Sequence, residues 1–373
     1  MRTIVFSVTN DLNYDQRMQR ICTSLADAGY DVLLIGRKYS NTITLEKKNF
    51  RQKRLHCFCK SGFLFYAEYN LRLFFYLLFT KMDMVCAIDL DTILPCYFTS
   101  LLRRKKRVYD AHELFTEMKE VVTRPSVKKI WLSIEKFAVP AFRHGYTVSY
   151  SIAEEFKKRY AVSYEVVRNM PLKRNDSLVS EEIFSEHTNT QNEKIILYQG
   201  AVNEARGLEN LVDAMQQVNA VLHIYGDGNI YEKIETCIPE KGLQNKIILK
   251  GKVFPQALPA ITANAFAGIN LVEPVGLNQL YSLANKFFDY IQAGIPQVTM
   301  NFPEYKRINE VTAVAVLINT VAIKEIADAI NLLLNDEIIY QQLKNNCVKA
   351  REIYTWQQEE QKLLCFYKNI FTD

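Results

Sequence analysis

The sequence GINLVEPVGLNQLYSLANKFFDYIQAGIP, residues 268–296, holds the parts of an α/β crossover in one stretch. Residues 267–272 form an apolar run short enough for a buried strand, and Pro274, Gly276 and Asn278 break it. A helix is expected from Ser282 as its N-cap, with Asn285, Lys286 and Asp289 in its first two turns and Gly294 and Pro296 as its stop. Amides at the helix start and the Lys286 ammonium would attract phosphate, and Asp289 would accept hydrogen bonds from sugar hydroxyls. The same spacing also describes a surface helix behind a core strand, with Lys286 and Asp289 solvated.

The alternation recurs on both sides of this stretch. Residues 3–8 are a β-rich apolar run, residues 15–29 a helical stretch with Met18, Ile21, Cys22 and Leu25 on one face, and residues 31–35 a second strand. That order calls for a parallel sheet with right-handed crossovers. Residues 84–88 make another strand ending in Asp89-Leu90-Asp91, whose carboxylates would point to opposite faces if the strand ran on. One of them, Asp91, is taken as a cleft residue. Residues 108–114, VYDAHEL, run from a strand into a loop bearing His112 and Glu113. Histidine exchanges protons near neutral pH, although a loop histidine equally serves as an ordinary hydrogen-bonding residue. A helix over 127–144 would bury Trp131, Ile134, Phe137 and Ala138. The polar segment 173–193 has no sustained apolar face and reads as a connection between domains. From 194 the pattern restarts: strand, Gly200 turn, helix from 208, strand 221–225, Gly226-Asp227-Gly228 turn, helix, strand 247–249. Gly200 lets the backbone approach a ligand, and Arg206, near a helix start, suits a bidentate phosphate contact.

Composition narrows the classes. A chain of 373 residues, 49% of them hydrophobic, is long enough for two cores. Its net charge of +5 admits anionic ligands or an anionic membrane surface but does not indicate nucleic acid. The eight cysteines show no paired metal spacing beyond Cys57-x-Cys59 and read as reduced thiols. The apolar run at the N-terminus is too short and too soon followed by charge for a secretory signal, so a cytoplasmic protein is expected. Residues 63–79 are strongly apolar, yet Glu68, Asn70 and Arg72 interrupt them, which suits a buried or interfacial helix better than a spanning one. The basic run 103–107 reads as a solvated helix end, and residues 37–60 as a variable segment rich in Lys and Arg. The loop 9–15 lacks the glycines of a dinucleotide fingerprint, which leaves Asn10, Asp11 and Arg17 for an acceptor or a phosphate, with turn and capping roles open to the first two.

YDAHELF (109–115), VVRNMP (166–171), GAVNEARG (200–207), IYGDGN (224–229), GKV (251–253) and NKFFDYIQAGIP (285–296) together, in this order, resemble glycosyltransferases of the GT-B fold, most closely family 4, the glycosyl transferases group 1. The resemblance implies an α/β architecture of two facing Rossmann-like domains with a deep interdomain cleft. Residues 1–172 would bind the acceptor, 173–353 the nucleotide-sugar donor, and a C-terminal helix over about 354–373 would cross back. It also implies catalytic roles for His112 and Glu113, and donor contacts from Gly200, Arg206, Gly226, Lys252, Asn285, Lys286 and Asp289. Asn10, Asp11, Asp91 and Tyr281 would line the acceptor side or the cleft. Two positions depart from the family pattern: Ala201 stands where a cation is usual, and Tyr281 where a second Glu is usual. The implied activity is sugar transfer from a nucleotide-diphosphate-sugar to a glycan or lipid-linked acceptor, with retention and without metal or other cofactor, in surface polysaccharide or glycoconjugate synthesis. A sugar-nucleotide epimerase of the same fold and a non-catalytic partner or scaffold are the alternatives.

Overall fold

The computed structural model describes residues 1–39, 44–173 and 193–372. The connection expected over 173–193 lies, from 174 to 192, outside them. The chain divides into two compact units, Met1–Asn169 with Glu359–Asp373, and Met170–Gln358.

In the first unit β1 (Thr3–Ser7), β2 (Asp31–Lys38), β3 (Arg51–His56), β4 (Met84–Ile88), β5 (Lys106–Ala111), β6 (His144–Thr147) and β7 (Glu165–Val166) form one sheet in the order β3-β2-β1-β4-β5-β6-β7. Every pairing is parallel. The central strands β1 and β4 are buried along their whole length, as a sheet covered on both faces requires. Strand order reverses between β1 and β4, and ligands of open α/β sheets sit outside the strand ends at such a reversal. Residues 9 and 89–91 lie there.

The second unit repeats the plan with β8 (Ile195–Gln199), β9 (Val221–Tyr225), β10 (Ile247–Gly251), β11 (Ala267–Asn270), β12 (Gln297–Met300) and β13 (Ala315–Ile318), ordered β10-β9-β8-β11-β12-β13 and again parallel. Its reversal falls between β8 and β11, which brings Gly200 to the same edge as the loop that opens the helix Asn285–Ala293. That helix lies close on the sheet because Gly268 has no side chain: a Cβ there would come within 2.4 Å of the Tyr290 ring. Tyr290 fills the space, and its hydroxyl donates to the carbonyls of Leu197 and Ile269.

Several expectations need correction. Residues 37–60 are not simply a variable segment, since they contain β3, whose polar sequence RQKRLH suits an edge strand with one neighbour. Ser282 does not cap the helix Asn285–Ala293. A short helix, Leu277–Leu280, precedes it, the Ser282 hydroxyl donates to the Gln279 carbonyl, and the helix begins after Ala284, whose N–H meets the Tyr305 hydroxyl. The helix expected over 127–144 is Pro125–Ala138, and its inward edge carries Glu135 and Ala138 while Phe137 stays exposed. The Thr116 hydroxyl, 2.7 Å from the Glu135 carboxylate, provides the partner that lets an acid lie inside. In the basic run, Arg103 is not a solvated end: its guanidinium donates to the carbonyls of Leu77 and Thr80, closing the helix Gly62–Phe79.

Candidate functional site

The chemistry of the first unit gathers around His112, just past the end of β5. Its Nε2 lies 2.9 Å from Asp110 and its Nδ1 3.6 Å from Asp89, and its backbone N–H donates to Asp89 at 2.8 Å. Asp110 sits two residues earlier, so the pleat turns both side chains to one face. It is fully buried and takes a second cation: Arg17 Nη2 donates to it at 3.1 Å while Nη1 donates to the Val167 carbonyl. Arg17 is therefore committed to the core and does not meet an acceptor or a phosphate. β4 does not continue through Asp89-Leu90-Asp91. Asp89 takes φ 54°, a conformation that costs a non-glycine residue on the order of 1–3 kcal/mol, and the chain turns into a single helical turn, Leu90–Thr92. The opposite-face expectation thus fails, and Asp89 swings to His112 while Asp91 accepts from the Thr9 hydroxyl at 2.5 Å.

Protonation follows from this crowding. Burial works against a charged His112, but Asp110 and then Asp89 outweigh it and raise its pKa to about 9. Burial would also raise Asp110, yet Arg17 and His112 bring it below the ordinary carboxylate value. Asp89 is pushed up to about 8, chiefly by burial, with His112 opposing and Glu113, Asp91 and Asp110 adding to the rise. Asp91 goes to about 6 for the same first reason, with the Thr9 bond and His112 opposing. At neutral pH His112 is an imidazolium, a fixed donor rather than a base.

In the second unit the β8 edge carries the site. Lys286 Nζ stands 3.7 Å over the Tyr198 ring and would lie 3.4 Å from a Cβ added at Gly200, so the lysine covers the glycine turn. Burial, then the field of Arg206, depress the Lys286 pKa well below its ordinary value, and Asp289 opposes them. Asp289 accepts from Gln199 Nε2 at 3.1 Å, and Gln199 is itself held by the Thr262 hydroxyl at 2.7 Å. Gly200, Ala201, Gly226, Asp227 and Lys252 line one cavity of about 390 Å³. Gly226 is obligatory there. Its φ is 147°, and a Cβ would come within 1.8 Å of the Gly200 carbonyl oxygen.

The remaining expected residues fall as follows. Asn285 opens the donor helix on its exposed side, and Tyr281 closes the short helix before it. Glu113 lies close enough to Asp89 and Asp91 to act on both charges. Asp11 pairs with Arg54 at 2.6 Å and accepts the Asn13 N–H, while the Asn10 amide donates to Asp15. Asp15 also caps the helix Gln16–Asp27 through the Met18 N–H. Sequence reasoning passed over Asp110 and gave Asp89 no role. The two-residue spacing of Asp110 and His112 on a strand was a usable signal, whereas Arg17 is brought in only by the fold. A larger cavity of about 550 Å³, between β6, β7 and the helix Trp356–Thr372, shares no residue with the His112 group.

Residues 179–350 match the family model of glycosyl transferases group 1. Over 170 residues it is 27% identical to a poly(glycerol-phosphate) alpha-glucosyltransferase of Bacillus subtilis (strain 168), a match that spans 41% of this chain and only 23% of that relative's length. Solved structures resemble the whole chain in fold. Sucrose-phosphate synthase from Thermosynechococcus elongatus superposes with a TM-score of 0.77 at 16% identity, covering 100% of both chains. HepE of Anabaena, solved in complex with UDP-glucose, gives 0.78 at 13% identity over 99% of this chain and 100% of that one. TarM of S. aureus, solved as a mutant in complex with fondaparinux, alpha-GlcNAc-glycerol and UDP, gives 0.71 at 12% identity over 100% of both. The architecture is that of the GT-B glycosyltransferases, two Rossmann-like units in one chain.

Proposed function

We propose that this protein moves a sugar from a nucleotide-diphosphate-sugar to a glycan or lipid-linked acceptor, with retention and without a metal ion, in surface polysaccharide or glycoconjugate synthesis at the cytoplasmic face of a membrane. The observation that carries the reading is the donor half-site, where Lys286 covers the Gly200 turn of a cavity floored by glycine backbone and lined by Lys252, with Arg206 near enough to act on the Lys286 charge. A diphosphate fits such a surplus of cations. HepE and TarM were solved with UDP or UDP-glucose, which supports the same ligand class here.

In the proposed reaction the bond between the anomeric carbon and the donor's phosphate oxygen breaks, and its electron pair leaves with the nucleotide. Lys286 and Arg206 stabilise that charge, and the acceptor hydroxyl bonds to the same face of the sugar, passing its proton to the departing phosphate. Asp289, fixed by Gln199, is placed to hold the donor's hydroxyls. His112, kept charged chiefly by Asp110, donates to sugar or acceptor oxygens and orients them. Calorimetric titration with UDP, GDP and their glucose conjugates tests this. Binding of at least one is expected, and no binding by any of them overturns the reading. Binding without transfer to any acceptor would favour a non-catalytic role, for which the loss of a cation at Ala201 is the motive.

A further inference from the structure

The cavity of about 550 Å³ in the first unit lies between β7, the last strand of its sheet, and the helix Trp356–Thr372. Packing leaves it open. The helix lies against β6, where Phe366 and Tyr367 meet the Tyr146 ring at 5.2 and 6.2 Å. Tyr146 pairs in register with Glu165, so His144, Tyr146, Glu165 and Val167 all turn to the helix side of the sheet. The helix covers β6 and leaves a gap over β7. Every residue that lines this gap belongs to the first unit, and its size suits a small molecule.

The rim of the cavity is polar and uncommitted. Arg143, Ser163, Glu165 and Gln361 are exposed there, and their side chains make no hydrogen bond or ion pair with any other described residue. Lys362 adds a second cation, 2.8 Å from Glu359. Arg143 and Lys362 suit a phosphate, the guanidinium through a bidentate contact. Glu165 and Gln361 suit hydroxyls, and the half-buried Phe366 ring offers a surface for the C–H face of a sugar or polyol. Together they describe a phosphate ester that carries hydroxyls.

Two walls of the cavity also bear on the His112 group. The Val167 carbonyl accepts from Arg17 Nη1 at 3.0 Å, and Phe366 packs edge-on against Tyr146, over whose ring the Arg17 guanidinium lies at 5.9 Å. Arg17 Nη2 holds Asp110 at 3.1 Å, and Asp110 holds His112 at 2.9 Å. Arg17 is buried in close packing, so a displacement of Val167 or Phe366 is passed on to Asp110. We propose that this cavity binds a hydroxylated phosphate ester and that its occupancy is felt at His112 through Arg17. The site shares no residue with the cavity at Gly200 and Gly226, and the inference stands whether or not the protein transfers sugar.

Histidine signals make the test direct, because the chain has only five and His144 lines the cavity while His112 does not. Protein isotope-labelled at histidine Cε1 is titrated with glucose-1-phosphate and followed by NMR, with His112→Gln and His144→Gln assigning the two signals. The His144 signal is expected to shift and saturate, and the His112 signal to shift along the same binding curve. Arg143→Glu breaks no hydrogen bond or ion pair among the described residues and is expected to weaken both responses about tenfold. An unmoved His144 signal overturns the site. Inorganic phosphate binding as tightly as glucose-1-phosphate overturns the ester assignment and leaves an adventitious ion only. A His144 shift without a His112 shift overturns the coupling, as does a His112 shift that Arg143→Glu leaves at full strength, since the ligand would then reach His112 directly. UDP affinity of Arg143→Glu protein is expected to stay within about twofold of wild type, and a larger loss overturns the separation of the two cavities.

Discussion

Around His112 three carboxylates, Asp89, Asp91 and Asp110, share one imidazole and the Arg17 guanidinium, whereas around Lys286 the cations Lys286 and Arg206 face the one carboxylate of Asp289. In the first group Asp89, raised to about 8, holds its proton at neutral pH, so the imidazolium and the guanidinium are matched by Asp91 and Asp110. His112, the Arg17 Nη1 and Nη2 atoms and the three carboxylates each meet a protein partner, while Arg17 Nε is buried without one, and one backbone strain, at Asp89, is retained in the arrangement. The second group is left with excess positive charge under partial burial, which depresses Lys286 and which a bound anion would relieve. On the proposed reading, the group that orients reactants is a largely closed network and the one that receives a diphosphate is left electrostatically incomplete.

The comparison breaks most readily at its centre. His112→Ala should lower turnover about 10³-fold while UDP affinity stays within twofold, since oriented donors contribute on this scale and the donor half-site is untouched. Equal loss of UDP binding would show that the two groups are not separable. Asp110→Asn leaves Arg17 buried without its counter-ion and should cost about 3 kcal/mol in urea unfolding, with the His112 pKa dropping toward its ordinary 6.5 by NMR titration. Lys286→Ala should weaken UDP binding by about 2 kcal/mol, roughly thirtyfold, with the unfolding midpoint unchanged or raised, because a depressed lysine is removed. Strong destabilisation there would contradict the incomplete-charge account.

The smallest effect is on pH dependence. His112 keeps in the folded chain a proton that the unfolded chain releases near pH 6.5, so its stabilisation is fully present below that value and is lost as the pH rises through about 9. Asp89, raised to about 8, changes stability in the same direction over this window. Unfolding free energy should fall between pH 6.5 and 9, most steeply between 6.5 and 8 where both groups contribute, with a slope of at most about 1.4 kcal/mol per unit for each proton. His112→Gln should make the fall shallower, leaving the part due to Asp89, and a rise with pH would contradict the network.

Much of this was legible before any coordinates. Apolar strands followed by amphipathic helices announced two parallel sheets, and Gly294, in a left-handed conformation, ends the donor helix where its sequence position indicated. Other elements were hidden for physical reasons. β3 pairs with only β2 and so needs no apolar alternation, and the short helix Leu277–Leu280 is buried at no residue and leaves no periodic trace. His112 could be singled out because its neighbours in sequence carry a pattern. Its second carboxylate, Asp89, comes from an adjoining strand end, and the Arg17 that balances Asp110 comes from a helix far away in the chain.

The helix Trp356–Thr372 has a consequence for synthesis. Tyr367 packs on Phe6, its hydroxyl meets that of Tyr146, Lys106 donates to the Ile370 carbonyl, and the Arg168 N–H is held by Glu359. A nascent chain leaving the ribosome therefore exposes one side of its first sheet throughout the translation of 170–358, and the unit begun first is completed last.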